Sequence, residues 1–309
     1  MDSPADHNPA IAHSRDLIRL RLLARELTRF PKIEARQVQG GARQSRFRGR
    51  GMDFDEVRIY QPGDDIRAID WRVTARTGTT HTKLFREEKE RPVQVITDQR
   101  NSMFFGSKRL KSVVACEVAS LLAWAGLNAN DRVGGWVTGS QQQQEVKARR
   151  SHHAVLSYIQ LLAEYSEKLL RYQPDQFRLA DIIEEARRTT LPGTSLFLIS
   201  DFHDLDDACS KQLFELRRHA DITLCQISDP LEQHLPPGGL YGVSDGEQRA
   251  ILNTADKQLA RHYQQQREAL ATRLRQVSGQ LASALVRVST DAEIAPLFYR
   301  LYGKSSRAH

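Results

Sequence analysis

Residues 93–102 read Val93-Gln94-Val95-Ile96-Thr97-Asp98-Gln99-Arg100-Asn101-Ser102. The run is short and rich in β-branched residues, carries no turn former, and changes at Asp98 from apolar to polar. That pattern predicts a strand covered on both faces, with an acid at its carboxyl end. Two more runs share the rhythm: SLFLISD at 195–201, again closing on an acid, and ITLCQIS at 222–228. Around them the period lengthens to three or four. Residues 107–130 place Val113, Cys116, Leu121, Trp124 and Leu127 at helical spacing, and 257–281 repeat this with Leu259, Tyr263, Leu270, Leu274, Val277 and Leu281. Further helices are predicted at 152–170, 178–190, 208–219 and 291–302. A hairpin is expected from 132–138 and 144–149 with its turn at 141–144, a small one at 239–254, and a last strand at 285–289. Short apolar strands alternating with long helices make βαβ units. The expected fold class is therefore α/β, a doubly wound, mostly parallel sheet spanning 93–309.

The chain upstream reads differently. Residues 15–30 carry Leu17, Leu20, Leu23, Leu27 and Phe30 on one stripe and arginines on the other, which predicts a single amphipathic helix stopped by Pro31. Residues 36–50 are Gly- and Arg-rich without apolar periodicity. Residues 52–92 are dense in opposite charges around Gln61-Pro62-Gly63-Asp64, a strong turn sequence. Three parts follow: a tail and helix at 1–35, an irregular β-rich segment at 36–92, and the α/β domain at 93–309.

Charge follows the same division. The chain of 309 residues has a formal net charge of +7, of which +6 belongs to residues 1–50, so a basic arm precedes a nearly neutral body. That distribution argues against a globally basic nucleic-acid coat and leaves a local patch open. Cys116, Cys209 and Cys225 lack CxxC spacing and sit in apolar stretches, as reduced core thiols do. The polar N-terminus shows no apolar signal segment, and the stretch 113–127 is too short to cross a bilayer and is broken by Glu117. A soluble, cytoplasmic protein is expected.

Ligands of open α/β sheets bind outside the carboxyl ends of strands, where the strand order reverses. Asp98 and Asp201 fall there, about a hundred residues apart in sequence. They have two readings: oxygen ligands of a divalent ion, or acids capping the helices that follow. His203, Asp204, Asp206 and Asp207 add an acidic loop. With His203 as general base this would be a metal-dependent hydrolase; the plainer reading is a helix N-terminus dressed with negative charge, and it is preferred. Adjacent His152 and His153 cannot share a helix face and make no metal pair. No GxSxG, P-loop, HExxH or GxGxxG is present.

The stretch GMDFDEVRIYQPGDDIRAIDWRVTART (51–77), followed by KLFREEKERPVQVITD (83–98), carries the most specific signal. Gly51, Asp53, Phe54, Glu56, Arg58, Tyr60, Pro62, Gly63, Asp64, Asp65, Arg67, Asp70, Trp71, Ala75, Arg76, Lys83, Phe85 and Glu88 closely resemble the signature of a bacterial family known as domain of unknown function number fifty-eight. Taken mechanically, Asp53, Arg58, Asp64, Asp65, Arg67, Asp70 and Arg76 form a charge ladder tying the arm to the body. In it Arg67 and Arg76 pair with Asp64, Asp65 or Asp70, and Trp71 is a packing anchor. A docking surface is the other reading of the same charges.

The resemblance implies a fold similar to the von Willebrand factor A domain, which often carries a metal-ion-dependent adhesion site. Mapped here, that site gives Asp98, Ser102 and Asp201 as metal ligands, a degenerate set at which Mg²⁺ would be the ion, although no cofactor is expected. Arg100 stands where the pattern has a serine, and no threonine offers itself near Phe177 and Arg178. An inward Arg100 would pair with Asp98 or Asp201 in place of the cation. The resemblance further implies a non-catalytic adaptor working with a MoxR-type AAA+ ATPase, with Arg100, His203 and Asp204 toward the partner. Two alternatives remain: the metal-dependent hydrolase, and a nucleic-acid binder using Arg36, Arg43, Arg46, Arg48 and Arg50. Nucleic acid is not expected, because only Phe47 is interleaved for stacking and acids follow at once.

Overall fold

The computed structural model describes residues 8–27, 52–62, 64–87, 92–233, 235–236, 238–244 and 247–303. It forms two compact units, residues 33–90 and the remainder of the chain. Of the expected tail-and-helix part at 1–35, residues 1–32 group with the larger unit, and the smaller unit begins at 33. The expected single helix is two helices, α1 (Ser14–Arg19) and α2 (Arg21–Ala24), broken at Leu20. The break has a physical cause. α1 lies mainly on the helix α5 (His152–Lys168) and α2 on the helix α4 (Lys111–Asn128), so the break lets the two pieces follow different neighbours. The Ser120 hydroxyl donates to the Leu17 carbonyl at 2.8 Å, satisfying an acceptor that the break leaves open.

The smaller unit is a two-stranded antiparallel ribbon, β1 (Met52–Ile59) with β2 (His81–Glu87), joined through the short helix α3 (Trp71–Thr77). Asp53 lies opposite Arg86 in its register. Asp70 caps α3 by accepting from the Arg72 and Val73 amides at 3.1 and 3.2 Å, and Gly78 ends it at φ +73°, where a glycine is favoured. Asp64 binds Arg58 at 2.8 Å and the Gln61 amide at 2.9 Å. Lys83 stands 3.5 Å from Asp70. The expected partners are thus replaced. Asp65 accepts from the backbone of Arg67, not its guanidinium, and the Arg67 and Arg76 side chains are exposed. Trp71 is no packing anchor: it opens α3 at 67% exposure, on a ribbon with little interior to offer. The Arg/Gly segment bearing Arg36, Arg43, Arg46, Arg48 and Arg50 lies outside the described residues.

The larger unit holds a six-stranded sheet. Its strands are β3 (Pro92–Gln99), β4 (Arg132–Gly139), β5 (Gln143–Arg149), β6 (Thr194–Ser200), β7 (Ala220–Ser228) and β10 (Ala284–Ser289). They run in the order β10-β7-β6-β3-β4-β5, all parallel except β5, the return arm of the β4 hairpin. Alternate residues feed two cores. Val95, Phe197, Ile199 and Cys225 face α4, α5 and the helix α10 (Ile294–Tyr302). Ile96, Leu198 and Leu224 face α6 (Leu179–Thr189), α7 (Asp207–Arg217) and α9 (Lys257–Leu281). Burial on both faces explains the near-continuous apolar runs, each large side chain contributing about 1.5–3 kcal/mol. Gly135 is required by this packing, because a Cβ there would stand 2.5 Å from the Tyr158 ring.

A short helix α8 (Pro230–Gln233) leads to an exposed hairpin of β8 (Leu240–Ser244) and β9 (Arg249–Asn253). Among the described residues no helix is long and apolar enough to cross a membrane. All three cysteines are buried free thiols, and burial pushes Cys209 and Cys225 up to about 12. The chain leaves β3 toward β4 and returns to β6 on the other side, so the strand order reverses between β3 and β6.

Candidate functional site

Asp98 ends β3, and Ser200 and Asp201 end β6 beside it. After β3 the chain turns back on itself, and the Arg100 amide donates to Asp98 Oδ1 at 3.0 Å. After β6 the buried Phe202 takes φ +59°, a left-handed conformation that costs a non-glycine roughly 1–2 kcal/mol. Around it the Phe202 amide donates to Ser200 Oγ at 3.0 Å and the His203 amide to Asp201 Oδ1 at 3.2 Å. These two turns set five acidic or basic groups, Asp98, Arg100, Asp201, His203 and Asp204, on one rim.

Arg100 is 2% exposed and spends its whole donor set there. Its Nε and Nη2 donate to Asp98 Oδ1 and Oδ2 at 3.0 and 2.8 Å. Its Nη2 and Nη1 donate to Asp204 Oδ1 and Oδ2 at 3.0 and 2.6 Å. The remaining Nη1 hydrogen goes to the Phe177 carbonyl at 3.2 Å. A guanidinium has five N–H bonds, and all are used. Asp98 also accepts from Ser200 Oγ at 2.8 Å, and Asp204 from the Leu179 amide at 2.9 Å, so the same knot fastens the start of α6. Burial opposes the Arg100 charge, yet Asp98 and Asp204 outweigh it and raise its pKa. Asp204 is correspondingly lowered: burial pushes against its charge, but the bonds from Arg100 prevail.

Beside this knot lies a second one. Lys111, at the first turn of α4 and 1% exposed, donates to Asp201 Oδ2 at 2.7 Å and to Glu232 Oε1 at 2.6 Å. Its ammonium sits 5.8 Å from the Phe105 ring centre. Burial works against the Lys111 charge, but the two carboxylates raise its pKa. Asp201 is held well below the usual carboxylate range despite its burial, by His203 and Lys111. His203 Nδ1 lies 2.9 Å from Asp201 Oδ1, and Asp201 and Asp204 raise the imidazole pKa over the cost of its burial. Asp229, at the end of β7, closes the row: it accepts from the Ser107 amide and hydroxyl at 2.7 and 3.0 Å and from Thr290.

Several expectations change on this geometry. Arg100 does turn inward, but onto Asp98 and Asp204 rather than Asp201. Buried with every donor engaged, it holds the rim together and is not a partner contact; His203 is the exposed member. Asp206 is the residue that caps α7, through the Cys209 amide at 2.7 Å. The set Asp98, Ser102 and Asp201 does not fit a divalent cation. Its two carboxylates answer to different fixed cations, Arg100 and Lys111, and the Ser102 hydroxyl, buried with no hydrogen-bond partner among the described residues, is a single neutral oxygen that does not replace them. Phe177 brings a carbonyl to Arg100 where a threonine would be needed. Among the described residues no group of three or more His, Cys, Asp or Glu is arranged to hold a metal.

A family profile described as "Protein of unknown function DUF58" matches residues 56–273. The chain belongs to this family. Relatives of this DUF58 chain include uncharacterized protein Mb1516 of Mycobacterium bovis and uncharacterized protein Rv1480 of Mycobacterium tuberculosis. Each is 26% identical over 255 residues, covering 79% of this chain and 78% of its own length. Among solved structures, it is similar to the conserved hypothetical protein BatB from Bacteroides thetaiotaomicron, with a TM-score of 0.43 and 14% identity over 68% of this chain and 96% of that one. A von Willebrand factor type A structure from Catenulispora acidiphila gives 0.40 and 14%, over 72% and 44% of the two chains. At those scores the α/β assignment rests on the strand order given above.

Lys111, Glu232 and Asp229 escaped sequence reasoning. One signal for Asp229 was present: three parallel strands end alike, in Ile96-Thr97-Asp98, Ile199-Ser200-Asp201 and Ile227-Ser228-Asp229.

Proposed function

We propose that this chain is a non-catalytic, cytoplasmic interaction module that works with a MoxR-type AAA+ ATPase in assembling or regulating other proteins. One observation supports it above the others. At the point of strand-order reversal, where α/β sheets present their chemistry, the acids are neutralised by Arg100 and Lys111, cations of the chain itself. Asp98 and Asp204 are committed to Arg100 and Asp201 to Lys111, and a rim of fixed charges suits recognition better than turnover. The family resemblance supplies the ATPase as partner, and His203, the exposed edge of the rim, is the group set to meet it.

The test is co-purification of the full chain with a MoxR-type ATPase expressed from the same genome. Co-elution at low salt is expected, weakened about threefold to tenfold by His203→Ala, since a charged contact of this kind contributes about 1 kcal/mol. Absence of any complex at low salt overturns the partner assignment. A hydrolytic activity restored or stimulated by Mg²⁺ and lost in Asp98→Asn would overturn the non-catalytic reading.

A further inference from the structure

On the α4–α5 side of the sheet, the carboxyl ends of β3 and β4 border a cavity of about 300 Å³. Its walls are Gln99 and Gly139 at the strand ends, Tyr165 and Leu169 at the end of α5, Gln141 in the hairpin turn, and Arg171 just beyond α5. Three observations make this a built site rather than a packing fault.

The first is a pair of orphaned oxygens. Gln99 is fully buried and its amide nitrogen is engaged, donating to the Ser112 carbonyl at 3.0 Å and toward Cys116 Sγ at 3.3 Å. That fixes the amide's orientation and leaves Oε1, an acceptor, with no partner among the described residues. The Tyr165 hydroxyl, on a side chain 1% exposed, is likewise without a partner among them. Leaving a buried polar group unsatisfied costs about 1–3 kcal/mol, and both residues border the same cavity.

The second is a shape that only glycine permits. A Cβ at Gly139 would stand 2.8 Å from a Tyr165 ring carbon, so any other residue would displace the wall that carries the hydroxyl. The third is a charge. Lys168 is committed, to Glu164 at 2.7 Å and to the face of the Tyr165 ring at 4.5 Å. Arg171 is exposed and has no ion pair among the described residues.

From these we propose that the cavity binds a small carboxylate that carries a hydrogen-bond donor beside it, as a free amino acid or hydroxy acid does. Its N–H or O–H meets Gln99 Oε1, the Tyr165 hydroxyl donates to its carboxylate, and Arg171 closes on the same charge. The volume lies at the lower end of the range for ligand pockets, which suits a ligand of this size. A peptide C-terminus presents the same two groups, and the experiment separates the sources. The site is independent of the adaptor reading and of its rim.

The test is a titration of the full chain, followed by calorimetry and by melting temperature. The probes are the free α-amino acids, lactate and malate, their carboxamides, and short peptides with free or amidated C-termini. At least one free acid is expected to bind saturably and raise the melting temperature, while its carboxamide does not. Strongest binding by a free acid identifies a small-molecule site; strongest binding by a peptide with a free end identifies a terminus. Arg171→Ala, at an exposed position, is expected to weaken binding about tenfold, and Tyr165→Phe about fivefold. Tyr165→Phe keeps the ring, so the ligand-free melting temperature should hold or rise. No saturable binding by any acid overturns the proposal, as does equal binding of acid and amide, or binding that survives Tyr165→Phe with Arg171→Ala.

Discussion

Arg100 and Arg58 each hold an aspartate at 2.8 Å, but the Arg100 side chain is 2% exposed and that of Arg58 26%. The first sits at the junction of two strands and two cores, the second on a ribbon wetted by solvent. The rim's arginine has five fixed acceptors and fastens β3, the loop after β6 and the start of α6 together. The ribbon's arginine ties one turn to one strand. Distance alone therefore says little about what an ion pair does: the number of satisfied partners and the surrounding dielectric decide it.

The comparison is sharpest when each arginine is removed. Arg100→Ala strands Asp98 without its counter-ion inside the protein, and a loss of about 3–5 kcal/mol in denaturant unfolding is expected. Arg100→Lys should recover only part of it, because an ammonium cannot make the two forked contacts. A wild-type midpoint for Arg100→Ala would show that the rim behaves like the ribbon.

A smaller effect is expected from acid. Asp201 and Asp204 are held below their ordinary value in the folded chain, so the stability they contribute is present above about pH 4 and is lost as pH falls from there through their folded values. Lys111→Met should flatten that part of the pH profile, since it removes a charge that holds Asp201 low. An unchanged slope between about pH 4 and pH 2 would contradict the assigned pairing.

The smallest effect belongs to the ribbon. Arg58→Ala is expected to cost under about 1 kcal/mol, and less at high salt. Trp71→Ala, at an exposed position, should leave the unfolding midpoint within about 0.5 kcal/mol of wild type. A large loss from either would mean that the signature is structural after all, as the sequence had suggested.

Those contrasts also mark what could be read in advance. The strands at 93–98, 195–201 and 222–228 were legible because burial on both faces leaves a continuous apolar run, which local pattern captures. The inward turn of Arg100 was legible from its charge beside Asp98. Its partnership with Asp204 was not, because it depends on the left-handed turn at Phe202, which no residue preference announces. Lys111 stood among Lys108 and Arg109 at a helix start and looked like ordinary solvated charge. Its partner Glu232 is 121 positions away, in the short helix α8. Trp71 misled in the opposite direction: an aromatic among paired charges suggests an interior, and a two-stranded ribbon has almost none.

The rim's cations come covalently attached. A bound ion is held at a concentration the surroundings set, and it can be chelated, exchanged or outcompeted. Arg100 and Lys111 arrive with translation, at a stoichiometry of one, and have no off-rate. Whatever the rim meets, these two charges are already in place when it arrives.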